Sequence, residues 1–166
     1  MKNKPLIIGA IILAAALTFF IQRGGGTASL PVQSQLNIGT ALVTDKTFYD
    51  FGTIGMNNGD VVVNFTVSNL TDKDIRIDSV VTSCMCTIAY LVKGEEKKGP
   101  FGMPGHGNIV PRANETIKAG EKWVVEVVFD PAAHGPLGAG HADRSVYLID
   151  EKGGALELKF TAEVIL

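Results

Sequence analysis

Along one stretch of the chain Val61, Val63, Phe65 and Val67 alternate with Val62, Asn64, Thr66 and Ser68, a period of two that marks strands with one buried face. The same period returns in Trp123, Val125, Val127 and Phe129, which alternate with a face that includes Glu126 and Asp130. It returns again in Leu156, Leu158, Phe160, Ala162 and Val164 against Glu157, Lys159, Thr161 and Glu163. Shorter apolar runs occupy Phe48 to Phe51, Ile75 to Val81, Thr87 to Val92 and Ser145 to Ile149. Turn-forming clusters separate them: Asn57-Asn58-Gly59, Thr71 to Asp74, Ala119-Gly120 and Lys152-Gly153-Gly154. Trp123 is in phase with Val125 and Val127, which predicts a core position. No helical period emerges beyond the N-terminal segment. About seven short, turn-punctuated strands predict an all-β fold, an immunoglobulin-like antiparallel β-sandwich.

The N-terminal segment breaks this pattern. Leu6 to Ile21 carries no charge and follows Lys2 and Lys4, which by the positive-inside tendency keeps the N-terminus cytoplasmic and sends the remainder across a membrane. At about 1.5 Å per residue this segment spans roughly 24 Å, so one N-terminal transmembrane helix competes with a long signal-peptide core. Arg23 favours the anchor. Cleavage after Ala28, giving a secreted or periplasmic domain, is the alternative. Residues 1–23 are thus read as anchor or signal, 24–40 as a flexible tether opening on Gly24-Gly25-Gly26, and 41–166 as one folded domain. The predicted partners are the membrane, through Leu6 to Ile21, and another protein of the cell envelope.

Charge excludes one class of function. Beyond Arg23, 12 basic residues (15 less Lys2, Lys4 and Arg23) face 17 acidic ones, a net charge of −5. Nucleic-acid binding has no electrostatic footprint in that balance.

Candidate chemistry begins with the two cysteines, one residue apart in Ser83-Cys84-Met85-Cys86-Thr87. On a regular strand both sulfurs share one face and Met85 takes the other. Three readings follow: small buried side chains at a strand start, ligands for a soft metal, or a redox pair whose disulfide must bend the backbone to close. Two loops interrupt the strand pattern. Gly94 to Ala113 has five glycines and three prolines, yet carries Phe101, Met103 and His106; Pro131 to His141 carries His134 and His141. Cys84, Cys86, Met103, His106, His134 and His141 together form a thiolate, thioether and imidazole set that suits copper ahead of zinc. Phe101 and Met103 are alternatively an apolar patch for a partner, or pins that hold the loop against the sandwich. No nucleophile with its base, phosphate-cradling loop or carboxylate pair stands out, which predicts no enzyme and no cofactor beyond the metal option. An extracytoplasmic binding or assembly module leads by default.

The succession Tyr49 to Ile54 (YDFGTI), Val63 to Asn69 (VNFTVSN), Thr82 to Thr87 (TSCMCT), Ile117 to Glu121 (IKAGE) and Val128 to Pro131 (VFDP) resembles the bacterial domain of unknown function 1573 family. That resemblance extends over nearly all of Phe48 to Ile165 and implies an exported or membrane-anchored Ig-like domain in the style of the ASPM, SPD-2 and hydin modules. It implies a fold and a location, not an activity. Met85 departs from the pattern, since the family more often has glycine between the cysteines.

Overall fold

Alternating apolar residues need a second apolar face to bury against, and the chain supplies one by folding into two sheets. The structure, a computed structural model, describes residues 37–105 and 112–166. Leu6 to Ile21, most of the tether and His106 lie outside the described residues; among the described ones no helix is long and apolar enough to cross a membrane. The strands are β1 (Asn37–Ile38), β2 (Leu42–Thr44), β3 (Phe48–Gly55), β4 (Val61–Asn69), β5 (Ile75–Thr82), β6 (Thr87–Lys93), β7 (Glu96–Phe101), β8 (Arg112–Ile117), β9 (Lys122–Phe129), β10 (Gly140–Asp150) and β11 (Ala155–Ile165).

One sheet runs β1-β11-β10-β5-β8, with β3 also on β11; the other runs β2-β4-β9-β6-β7. The pairings are antiparallel except that of β3, which lies parallel to β11 with Tyr49 opposite Phe160. The sandwich is therefore mixed rather than wholly antiparallel, and eleven strands are assigned among the described residues rather than about seven. The extra ones are short or lie at edges, where alternation is weakest. β1 is formed by Asn37 and Ile38, read from sequence as the end of the tether, against Leu156 and Ala155.

The Gly94 to Ala113 segment is not one long loop. Its first part turns at Gly94 and returns as β7 along β6. Pro100 is tolerated there because β7 is an edge strand, with a side that owes no ladder hydrogen bond. Gly99 is needed at its position: φ is +127°, and a Cβ would stand 2.9 Å from the Ala89 carbonyl oxygen.

The two inner faces meet in one core. Phe65, Val67, Leu91 and Val125 from one sheet pack against Ile77, Leu148, Leu158 and Phe160 from the other, all fully buried. Phe160 is the aromatic centre, with Phe129 at 5.3 Å and Phe51 edge-on at 5.5 Å between ring centroids. Trp123 is in the core as its phase predicts. β5 keeps both Ile77 and Val80 inside by a bulge at Asp78, the extra residue opposite the step from Ile149 to Asp150 on β10; against β8 the register shifts at the same place, with the extra residue on β8.

Polar groups at the turns are satisfied locally. Asn69, fully buried, donates from Nδ2 to the carbonyls of Lys73 (2.7 Å) and Ile117 (2.9 Å), closing the turn from β4 to β5. Glu121 organises the turn from β8 to β9. It accepts from Lys93 Nζ at 2.8 Å, Lys118 N at 3.1 Å and Trp123 Nε1 at 3.2 Å. These donors, Lys93 first, lower its carboxyl from 4.5 to about 2.

A group whose folded value is depressed contributes stability above its unfolded value and loses it as pH falls through the folded one. Glu121→Gln is expected to lower the urea midpoint near neutral pH. The gap from the parent protein should close as pH falls from about 4.5 towards 2. A gap that is constant over that range would assign the loss to shape rather than to the carboxylate charge.

Candidate functional site

β5 ends in one sheet and β6 begins in the other, so the chain crosses the end of the sandwich through Ser83–Cys86 alone. Four residues must span sheets that typically lie about 10 Å apart, and a regular strand cannot make that bend. The cysteines accordingly occupy a turn and not a strand start. Thr87 N donates to the Cys84 carbonyl at 3.2 Å, and Thr82 Oγ1, buried beneath, donates within reach of both the Cys84 carbonyl (2.9 Å) and the Thr87 carbonyl (3.0 Å). Ser83 fastens the turn to β10, its N donating to the Ser145 carbonyl and its Oγ accepting from Ser145 N, each at 2.9 Å. The turn also docks on the second crossing, since Asp130 N donates to the Cys86 carbonyl at 2.9 Å.

Within this turn Cys84 and Cys86 form a disulfide, with Cα atoms 5.3 Å apart. The reading of two unbonded, buried thiols is corrected on that point. Burial holds only for Cys86, 3% exposed and part of the core cluster; Cys84 is half-buried, and Met85 is carried outwards to 51% exposure.

Four donors converge on the two sulfurs. His134 Nε2 lies 3.2 Å from Cys84 Sγ, and Cys86 N donates to the same sulfur at 3.4 Å. Arg144 Nε donates to Cys86 Sγ at 3.3 Å, and Thr87 Oγ1 stands 3.8 Å from it. A bridged sulfur has no hydrogen to give, so any hydrogen bond in these pairs runs from the nitrogen or hydroxyl to the sulfur. His134 comes from the loop between β9 and β10, followed by Gly135 in the left-handed region at φ +56°. Arg144 is available because β10 begins at Gly140, while its pairing with β5 reaches only from Thr82 and Val146, so the first residues of β10 overhang beside the turn.

The six sulfur and imidazole residues named from sequence are only partly brought together. Cys84, Cys86 and His134 offer donor atoms all within 4.8 Å of one another. His141 is not a loop residue: it sits on β10, exposed, with Nδ1 3.7 Å from Glu163 Oε2 across the β11 pairing. Met103 is half-buried just after β7, whose following residue Gly102 accepts from Thr82 N at 3.3 Å, and His106 lies outside the described residues. Phe101 is 5% exposed within the core, so it pins the chain to the sandwich and contributes nothing to an exposed apolar patch. Arg144 was not legible as a site residue. It stands 58 positions from Cys86 in a run that reads as an ordinary strand. Asp60, Met85, Cys86, Ile88, Val128 and Asp130 line a surface pocket of about 210 Å³ beside the turn.

Residues 42–102, a little over a third of the chain, match the family described as "Protein of unknown function (DUF1573)". The match spans β2 to β7 and includes both cysteines, in agreement with the resemblance carried by the motifs. A protein of unknown function from Porphyromonas gingivalis W83 has a similar structure, with a TM-score of 0.52 at 18% identity, over 75% of this chain and 49% of that one. A family 123 glycoside hydrolase from Clostridium perfringens gives a TM-score of 0.52 at 8% identity, over 76% of this chain and 27% of that one. The ASH / PapD-like domain 7 of human CEP192 gives 0.43 at 13% identity, over 76% of this chain and 86% of that one. The chain spans about half the length of the Porphyromonas protein and about a quarter of the hydrolase. For the Porphyromonas protein and the hydrolase, at these identities, the likeness is one of fold. No curated protein matches the chain in sequence.

A bridge that closes over a single residue constrains the unfolded chain little, about 1–2 kcal/mol on loop entropy. The double variant Cys84→Ser, Cys86→Ser is therefore expected to fold and to lose only about that much in denaturant unfolding. Loss of its cooperative transition would make the bridge a structural staple.

Proposed function

We propose that this Ig-like domain is a thiol–disulfide exchange module held on the outer side of a membrane. The convergence of His134, Arg144, Thr87 and the Cys86 amide on the two sulfurs carries the reading. Donors that are weakly used by a neutral disulfide become strong partners of a sulfur that acquires charge, which is what exchange requires.

The half-buried Cys84 is the sulfur that meets a partner. A partner thiolate attacks Cys84 Sγ, the bond to Cys86 breaks, and its electron pair leaves on Cys86 Sγ, where the Arg144 guanidinium and the Thr87 hydroxyl receive the negative charge. The partner's second thiolate then attacks the partner sulfur in the mixed disulfide and releases Cys84 as a thiolate, which the His134 ring N–H stabilises by a hydrogen bond while solvent supplies the protons that both sulfurs take up. The partner dithiol has lost two electrons and become a disulfide, and Cys84 and Cys86 have become a dithiol. The reverse reaction, with an oxidised partner, restores the bridge, so the domain relays a disulfide between thiol proteins. The assembly-module reading has no comparable support, because Phe101 is committed to the core.

An extracytoplasmic place agrees with this chemistry, since disulfides persist outside the cytosol. It is an inference from Leu6 to Ile21 and the lysines before it. Protease added to intact cells or spheroplasts is expected to digest the domain while a cytoplasmic marker survives, and protection of the domain would sink the topology.

For the exchange itself, the full chain is incubated with dithiothreitol or a glutathione buffer and the opened thiols are alkylated and counted by mass. The folded protein is expected to open readily, and Arg144→Gln to slow opening by about tenfold, the order of one hydrogen bond to a charged atom. His134→Ala should act mainly on the second step, by accumulating the mixed disulfide. A bridge that opens only in denaturant, or at a rate indifferent to both substitutions, defeats the proposal.

A further inference from the structure

We infer that, with its bridge reduced, the same turn holds one Cu(I) ion between Cys84 Sγ, Cys86 Sγ and His134 Nε2. This goes beyond the exchange reading and needs only that some reductant opens the bridge. Three features of the turn carry it.

The first is convergence. The three donor atoms already lie within 4.8 Å of one another, with His134 Nε2 3.2 Å from Cys84 Sγ. Ligands bound at about 2.0–2.3 Å stand roughly 3.5–4 Å apart, so opening the bridge and a small shift of the exposed His134 loop bring the set to coordination distances.

The second is donor type and number. Two thiolates and an imidazole are soft to intermediate ligands, suited to Cu(I). Zinc in a closed structural site takes four protein ligands, and among the described residues the group stops at three. Asp130, close along the chain, turns Oδ1 to Ala132 N at 2.8 Å, and His141 is drawn to Glu163 on β10.

The third is charge. Two thiolates around Cu(I) leave the cluster with one negative charge, and Arg144, whose Nε points at Cys86 Sγ from 3.3 Å, supplies the compensating positive charge and a ligand-orienting hydrogen bond. Binding converts two thiols and Cu(I) into a bis-thiolate complex and releases two protons to solvent. The oxidised bridge cannot bind in this way, because its sulfurs carry no charge and are spent on each other. Metal binding and the disulfide are thus alternative states of one turn.

The purified full chain is reduced with a phosphine, freed of reductant without air, and titrated with Cu(I) against a chromogenic Cu(I) chelator such as bicinchoninate. The reduced chain is expected to take one Cu(I), with thiolate-to-copper absorption in the ultraviolet, and the oxidised chain none. Arg144→Gln, which keeps all three ligands, should weaken binding by about tenfold, the order usual for a group that hydrogen-bonds a ligand. His134→Ala should weaken it further, and Cys84→Ser, Cys86→Ser should abolish it. Equal copper uptake by the oxidised chain or by the double serine variant overturns the site, as does a reduced chain that takes Zn(II) in preference to Cu(I). A chain that binds Cu(I) after phosphine reduction but exchanges with no dithiol defeats the exchange reading alone; one that exchanges but binds no Cu(I) defeats this one alone.

Discussion

Burial of two alternating apolar faces against each other is the constraint on which the rest of the molecule depends. Neither sheet can stand alone, because each presents a continuous inner row: Phe65 and Val125 on one side, Leu158 and Phe160 on the other. The chain must therefore pass repeatedly between sheets. Three of those passages, from β3 to β4, β5 to β6 and β9 to β10, gather at one end of the sandwich. The site is a product of that routing. The shortest passage bends the backbone so tightly that two cysteines one residue apart meet, and the β9 to β10 passage brings His134 over them.

The framework also explains why the sulfurs are presented asymmetrically. Cys86 is the last residue before β6 enters its sheet, so it is drawn into the core, while Cys84 stays at the rim. Arg144 reaches the inner sulfur only because β10 outruns β5, leaving the start of the strand beside the turn. A rigid sandwich thus holds a small set of donors around the two bridged sulfurs. Rigid support of a short, chemically active loop is how β-sandwich scaffolds commonly host function.

Elsewhere the surface is managed in ordinary ways. The β7 edge carries Lys97 and Lys98, which pair with Glu126, Glu96 and Glu115 and leave the strand poorly suited to another chain. The Glu121 and Asn69 clusters tie the turns at the far end, opposite the cysteines, by satisfying backbone groups that the strands leave over. Those clusters fix the ends of β8 and β9, and through β9 the position of Phe129 and the loop that carries His134.

The sequence by itself determined the fold class, the phase of the central strands and the identity of the core, because a period of two with one apolar face has a single low-energy use. Trp123, Phe65 and Phe160 are inside for that reason. It also marked Cys84, Cys86 and His134 as chemically notable residue types. What it could not determine was their meeting, because a contact between residues 84 and 134 arises from the order in which strands pair, and local pattern does not encode that order. The edge strands β1, β7 and β8 escaped for a related reason: with one side unpaired they tolerate glycine, proline and charge, and so lack the alternation that identifies a strand. Tertiary structure alone decided that the cysteines lie in a turn, that they bridge, that His141 belongs to a strand, and that Arg144 points at a sulfur 58 residues away. Each of those follows from where the chain crosses between sheets, which is fixed by the packing of the whole core rather than by any segment of it.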